Sequence, residues 1–258
     1  MDLELFESII QQVAPLTKQV ALHLMGDPLV HPKLHEIIKI CERYQTQIFF
    51  VTNGVLLQKE KSDLLLNPIF RQVNFSLHSF HDNYGDKDPS VYLDRIFDFT
   101  LEAFAQRPNL YINYRLWNLQ EKNRHSDLNQ SMLERIGSFF NVPIPNEVNV
   151  TKKKSYRLVN RLYLHFDTEF VWPSLDIPIL GETGRCYGLS SHFGILADGT
   201  VVPCCLDKEG AIALGNLQQK QLSEILNSTR AQAILKGFQK KKLVESLCQR
   251  CQYIERFQ

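Results

Sequence analysis

No stretch of the 258-residue sequence reaches the roughly 18 to 20 consecutive apolar residues that span a bilayer. The opening Met-Asp-Leu-Glu-Leu also lacks the basic and apolar regions of a secretory signal. A membrane partner is therefore not expected, and the sequence reads as cytoplasmic. Charge of one sign is not in excess either. Lys and Arg number 29 against 28 Asp and Glu, and the one evident basic run, Lys152-Lys153-Lys154, is short. Such a balance gives no field to hold a phosphate backbone, so nucleic acid is not an expected partner. Repeats and low-complexity tracts are missing. So is cysteine from the first 40 residues. The first one, Cys41, shares a helical face with Leu34, Ile37, Ile38 and Tyr44, which is the spacing of a core position rather than a ligand.

What is present suits one large domain and one small one, since 44% hydrophobic content over this length buries a substantial core. Helical periodicity over 2–13, with Asp2 as N-cap, is followed by short apolar strands at 20–25, 48–52, 72–77 and 110–116. Helices at 32–44, 59–66 and 90–106 separate them. This alternation predicts an α/β domain built on a parallel sheet, of barrel or open-sheet type. A polar loop at 118–127, a helix at 128–140 and a strand at 162–166 complete it. The first domain is placed at 1–170. From 171 to 258 composition turns to Pro, Gly and Cys, with a hairpin at 193–202 turning on Asp198-Gly199 and a helix at 221–238.

Five of the six cysteines lie in this second segment. Cys186 precedes the hairpin, Cys204 and Cys205 follow it, and Cys248-Gln-Arg-Cys251 closes the chain. A hairpin draws Cys186 toward Cys204, and a Cys-x-x-Cys turn supplies two more thiolates. Four soft ligands at Cys186, Cys204, Cys248 and Cys251 then suit tetrahedral zinc or an iron-sulfur cluster, which ligand type alone does not separate. Cys205 is the spare, because adjacent cysteines do not readily serve one centre.

The run Cys186-x12-Gly199-x4-Cys204, continuing through Pro203-Cys-Cys-Leu-Asp207 to Gly215-Asn216, Arg230 and Cys248-x-x-Cys251, resembles the SPASM or twitch extension of radical S-adenosylmethionine enzymes. Leu22-His-Leu-Met-Gly-Asp-Pro-Leu-Val-His-Pro32 resembles that family's second strand and Gly-Glu-Pro-type motif, and Phe50-Val-Thr-Asn-Gly54 the strand and turn after it. The resemblance implies a partial (β/α) barrel of radical SAM type missing its first strand, followed by a Cys-rich domain with one auxiliary 4Fe-4S cluster. It implies S-adenosylmethionine contacts at Gly26, Asp27, Thr52, Asn53, Ser76 and Arg115. It also implies a peptide, protein or small-molecule substrate and an electron donor such as flavodoxin or ferredoxin. The family's Cys-x-x-x-Cys-x-x-Cys loop belongs just before the first helix, and nothing in 1–40 supplies it. The expectation is thus a radical SAM-type protein derived from an enzyme that generates a 5'-deoxyadenosyl radical, the chain beginning one βα unit late. The alternative is a non-catalytic iron-sulfur or zinc-binding protein that uses the α/β domain as scaffold.

Overall fold

The computed structural model describes residues 1–119, 127–145, 148–169 and 171–257. The chain forms two compact units, one of residues 18–169 and one that joins 1–17 to 170–258.

The first helix, α1 (Leu3–Val13), belongs to the second of these units. Asp2 caps it, accepting the Leu5 amide at 2.8 Å, and Phe6, Ile9, Ile10 and Val13 form its buried stripe. In residues 18–169 the order is β1 (Gln19–Ala21), α2 (Leu34–Arg43), β2 (Gln47–Thr52), α3 (Lys59–Leu65), β3 (Phe70–Ser76), α4 (Phe80–Tyr84), α5 (Ser90–Gln106), β4 (Tyr111–Leu119), α6 (Asp127–Phe140), β5 (Ser155–Val159) and β6 (Leu162–Thr168).

These strands form one six-stranded sheet in the order β1-β2-β3-β4-β6-β5. Pairing is parallel from β1 through β6, and β5 returns antiparallel along the edge of β6. The sheet is therefore mixed, where alternation alone predicted a parallel one. The difference comes from a hairpin of two adjacent strands near the end of the unit, with no helix between them. β1 is shorter than the strand expected at 20–25. It has one neighbour, and after Ala21 the chain leaves the sheet for a 3-10 turn at Pro28–Val30. The loop expected over 118–127 falls largely on 120–126, outside the described residues.

Strand alternation divides the sheet into two faces. Phe50, Val73, Phe75, Ile112, Tyr114, Leu116, Leu164 and Phe166 are fully buried on one. Phe75 meets Phe99 edge-on with ring centroids 5.6 Å apart, and Phe97 lies 6.3 Å from Tyr114, so α5 packs on this face. Thr100 on α5 gives its hydroxyl proton to the Ile96 carbonyl oxygen (2.8 Å), leaving its oxygen to accept the buried Tyr114 hydroxyl at 2.7 Å. Cys41 is fully buried on α2, as its helical spacing predicts. The opposite face carries polar and aromatic side chains and holds the cavity described below.

The other unit adds to α1 a small antiparallel sheet of β7 (Gly194–Ile195), β8 (Thr200–Val202) and β9 (Gly215–Asn216), then α7 (Leu222–Leu226) and α8 (Thr229–Gln239). Gln12 of α1 accepts the Leu222 amide at 2.8 Å. The hairpin turn forms where expected. Gly199 has φ +88°, and a Cβ there would sit 3.2 Å from the Asn216 side-chain oxygen. The helix expected at 221–238 is broken in two, because Ser228 caps a new helix by accepting the Ala231 amide.

Candidate cluster-binding cysteines and a polar sheet face

In the cysteine-bearing unit an apolar core of Ile212, Ile234, Phe238, Leu243 and Leu247 has Cys186, Cys248 and Ile254 packed against it. Segment 177–186 is laced along the C-terminal residues. Arg250 donates to the Ile177 carbonyl (2.8 Å), Leu180 N–H donates to Gln249 O (2.8 Å), Gly184 N–H donates to Lys241 O (2.9 Å), and Leu243 N–H donates to Glu182 O (2.8 Å). That lacing carries Cys186 to the Cys248-x-x-Cys251 turn, where Cys251 N–H closes on Cys248 O at 3.2 Å. Gly188 lets the Cys186 loop lie on the strand before Cys204. A Cβ at 188 would stand 3.0 Å from the Pro203 carbonyl oxygen, which accepts the Leu189 amide at 3.2 Å.

The thiols consequently feel one another. Burial pushes the Cys204 thiol up to about 12, with Cys205 and Cys186 adding to the rise. Burial raises Cys248 still further, reinforced by Cys204, Cys186 and Cys251. Cys251 is raised by burial and then by Cys186 and Cys205. In Cys186 burial again dominates, partly opposed by the Gly188 amide that its sulfur accepts at 3.4 Å. Among the described residues no three His, Cys, Asp or Glu side chains are drawn closely enough to grip one metal ion, so the thiols interact across a gap. Thiols that disfavour a neighbouring thiol's ionised form are a donor set that suits a cationic centre, and the thiol-rich chemistry fits iron-sulfur. Cys205 is the most exposed of the five.

The remaining motif residues are structural. Asp207 is buried and accepts the Ala211 and Ile212 amides, both at 2.8 Å. Arg230 clamps Glu245 through two bonds of 2.8 Å and donates to Ala213 O at 3.0 Å.

A family model described as "SPASM: Iron-sulfur cluster-binding domain" matches residues 186–252. This segment is a SPASM domain. Outside it, the likeness is one of fold. BtrN in complex with AdoMet and 2-DOIA is similar at 15% identity and TM-score 0.55, over 98% of this chain and 80% of that one. The anSMEcpe protein with bound AdoMet and Kp18Cys peptide is similar at 14% and 0.52, over 98% and 78%. SuiB of Streptococcus suis bound to S-adenosylmethionine is similar at 15% and 0.55, over 90% and 60%. No curated protein matches the sequence. The resemblance to radical SAM proteins with a SPASM extension therefore holds in the C-terminal domain and in the fold. No helix among the described residues is long and apolar enough to cross a membrane.

In the six-stranded unit the expected cofactor residues fall into two groups. Asp27 accepts the Leu29 amide with one oxygen (2.9 Å), and with the other the Thr52 hydroxyl (2.6 Å) and the Asn53 amide (2.9 Å). Thr52 in turn accepts the Gly54 amide at 3.0 Å, and Tyr92 donates to Asn53 O at 2.7 Å. Asp27, Thr52 and Asn53 are thus one knot at the C-terminal end of β2, held together by the Asp27 carboxylate, and Gly26 precedes it at φ +86° with open space where a Cβ would stand. Ser76 and Arg115 stand opposite each other in the β3–β4 register, on the polar face.

The structure adds residues that sequence reasoning passed over. Arg115 lies over the rings of Trp117 (4.5 Å) and Phe49 (5.5 Å). Three imidazoles surround it, and all are held neutral. Burial and then Arg115 push His23 down to about 4 and lower His165, and burial lowers His78. His78 donates its Nδ1 proton to the Arg115 carbonyl (3.1 Å) and stacks on Trp117. The signal that would have found His165 and Trp117 is period-two alternation along β4 and β6, where each lies on the face opposite the apolar core.

Proposed function

We propose that the chain is a radical S-adenosylmethionine-type protein whose Cys186, Cys204, Cys248 and Cys251 hold one auxiliary 4Fe-4S cluster. The observation that carries this reading is the packing of Cys186 and Cys248, from distant segments laced together by hydrogen bonds, against one core inside a matched SPASM domain. Cys205 is left outside the ligand set by its greater exposure. When bound, such a cluster supplies one-electron chemistry, and the protein sets its potential through burial and hydrogen bonds to sulfur. The Gly188 amide at Cys186 is one such bond.

For S-adenosylmethionine the candidates are Gly26, Asp27, Thr52, Asn53, Ser76 and Arg115. Asp27, saturated by three donors, organises the loop that carries Thr52 and Asn53. Arg115 and Ser76 are the pair suited to an anionic group, and a peptide, protein or small molecule would be the substrate. An electron donor such as flavodoxin or ferredoxin would serve a catalytic form.

A second reading is a non-catalytic protein with a structural or electron-relaying cluster. It requires no Cys-x-x-x-Cys-x-x-Cys, and residues 1–258 contain none. Zinc at the same thiols is the third. Anaerobic reconstitution followed by metal analysis tests all three. About four irons per chain with broad absorbance near ~400 nm supports the cluster, and one zinc with no colour rejects it. Retention of S-adenosylmethionine in equilibrium dialysis separates the first reading from the second.

A further inference from the structure

The polar face of the six-stranded unit carries an open cavity of about 320 Å³ whose lining includes Gln72, Asn74, Asn113, Arg115, Ser155 and His165. Hydrogen-bond direction in it is settled by two groups that have only one role each. The Phe50 carbonyl oxygen can only accept, so Asn74 presents its amide nitrogen there at 2.7 Å and turns its oxygen the other way. That oxygen takes a proton from Gln72 Nε2 (2.8 Å) and another from Asn113 Nδ2 (3.0 Å). Each neighbour thereby gives one N–H to Asn74, which fixes which way its amide faces. The Gln72 Oε1 and Asn113 Oδ1 atoms remain as acceptors with no partner among the described residues.

On the neighbouring strand the Trp117 indole N–H can only donate, and it donates to His165 Nδ1 at 2.9 Å. His165 must then carry its single proton on Nε2, as a donor. A doubly protonated ring would set N–H against N–H, so the indole also keeps this histidine neutral.

A ligand of this cavity meets two fixed acceptors, one fixed donor, the hydroxyl-bearing residues Ser155, Tyr111 and Tyr163, and the Arg115 cation. No carboxylate is among the lining residues. An ammonium group has no counter-charge here, whereas hydroxyls fit the acceptors and an ether or carbonyl oxygen fits His165. The volume is at the small end of ligand sites, about one sugar ring rather than a length of peptide. We propose that this cavity takes a non-cationic, hydroxyl-rich small molecule, with hydroxyls donating to Gln72 Oε1 and Asn113 Oδ1 and an oxygen accepting from His165 Nε2–H. Calling that molecule a substrate rests on the radical SAM-type reading, but the ligand class rests on donors and acceptors alone.

The test uses the full chain without cluster or cofactor, with exposed Trp172 changed to Phe so that Trp117 is the sole indole. D-glucose, D-glucosamine and N-acetylalanine amide are titrated against its fluorescence. Glucose is expected to saturate in the millimolar range, as suits so small a ligand, with glucosamine at least about tenfold weaker and the amide not saturating. His165→Phe should weaken glucose about tenfold, and His165→Gln, which keeps an N–H donor, should restore most of that loss. Asn113→Asp, which places a carboxylate in the lining, should reverse the preference toward glucosamine. The proposal is overturned if glucosamine or the peptide amide binds as well as glucose in the parent chain, if no probe saturates, or if Asn113→Asp leaves the order unchanged. Cooperative unfolding of each variant verifies folding. Failure to retain S-adenosylmethionine would reject the cofactor reading and leave these titrations untouched.

Discussion

The cysteine-bearing unit and the six-stranded unit treat their inward polar groups in opposite ways. In the first, thiols are gathered so that Cys204, Cys186 and Cys251 add to the burial that raises Cys248. In the second, donors meet acceptors in fixed directions: Asn74 is satisfied on both sides, Asp27 takes three donors and Trp117 fixes His165. The first arrangement is incomplete without a positive centre. The second is preorganised, with Gln72 Oε1 and Asn113 Oδ1 left open for a non-cationic guest. A site that opposes itself advertises a cofactor, and a site in balance advertises recognition.

The comparison breaks most plainly at the thiols. Cys186→Ser or Cys248→Ser should abolish cluster retention, measured as iron per chain after anaerobic reconstitution, while Cys205→Ser should leave it nearly unchanged. Equal loss in all three would mean that exposure does not distinguish the spare. In the balanced unit Asp27→Ala strands three donors and should destabilise by about 3 kcal/mol, read from urea denaturation. A change within experimental scatter would mean that the knot is not structural.

Next in size is an acid effect from His23. Its folded value lies near 4, below the ordinary 6.5, so between those values the unfolded state binds the extra proton. Stability from this residue is therefore full above pH 6.5 and falls as pH drops toward 4, by at most about 3 kcal/mol. His23→Phe should flatten that part of the pH profile. The thiols bend the opposite limb in the cluster-free protein. Cys204 is raised to about 12 from 9.0, so above pH 9 unfolded thiols lose protons that the folded ones keep, and stability declines. A cluster-loaded sample should resist that decline. Smallest is Arg230→Lys, which gives up the two-pronged grip on Glu245 and should cost about 1 kcal/mol.

The two regions also differed in how far the sequence announced them. Helix α5 and the Asp2 cap were legible because apolar period and capping side chain agree locally. The cysteines were legible because few physical situations demand thiols at such intervals. Ser228, which breaks the expected helix at 221–238, was not, since a capping serine inside an apolar period reads as one more polar position. β5 escaped because it follows the lysine run and its residues alternate weakly. The cavity was hidden for a deeper reason. Asn74, Asn113 and His165 alternate with core residues just as solvent-facing residues do, and only the sheet register brings them together.

The lacing of 177–184 along 241–250 gives that stretch a meaning beyond the sulfur of its Cys248. It works as a drawstring: the chain's last turns close the loop that delivers Cys186, and a bound centre would in turn knot the string. Cleavage near the C-terminus by a carboxypeptidase should thus be slow in loaded protein and quick in stripped protein, turning a protease into a gauge of cofactor content.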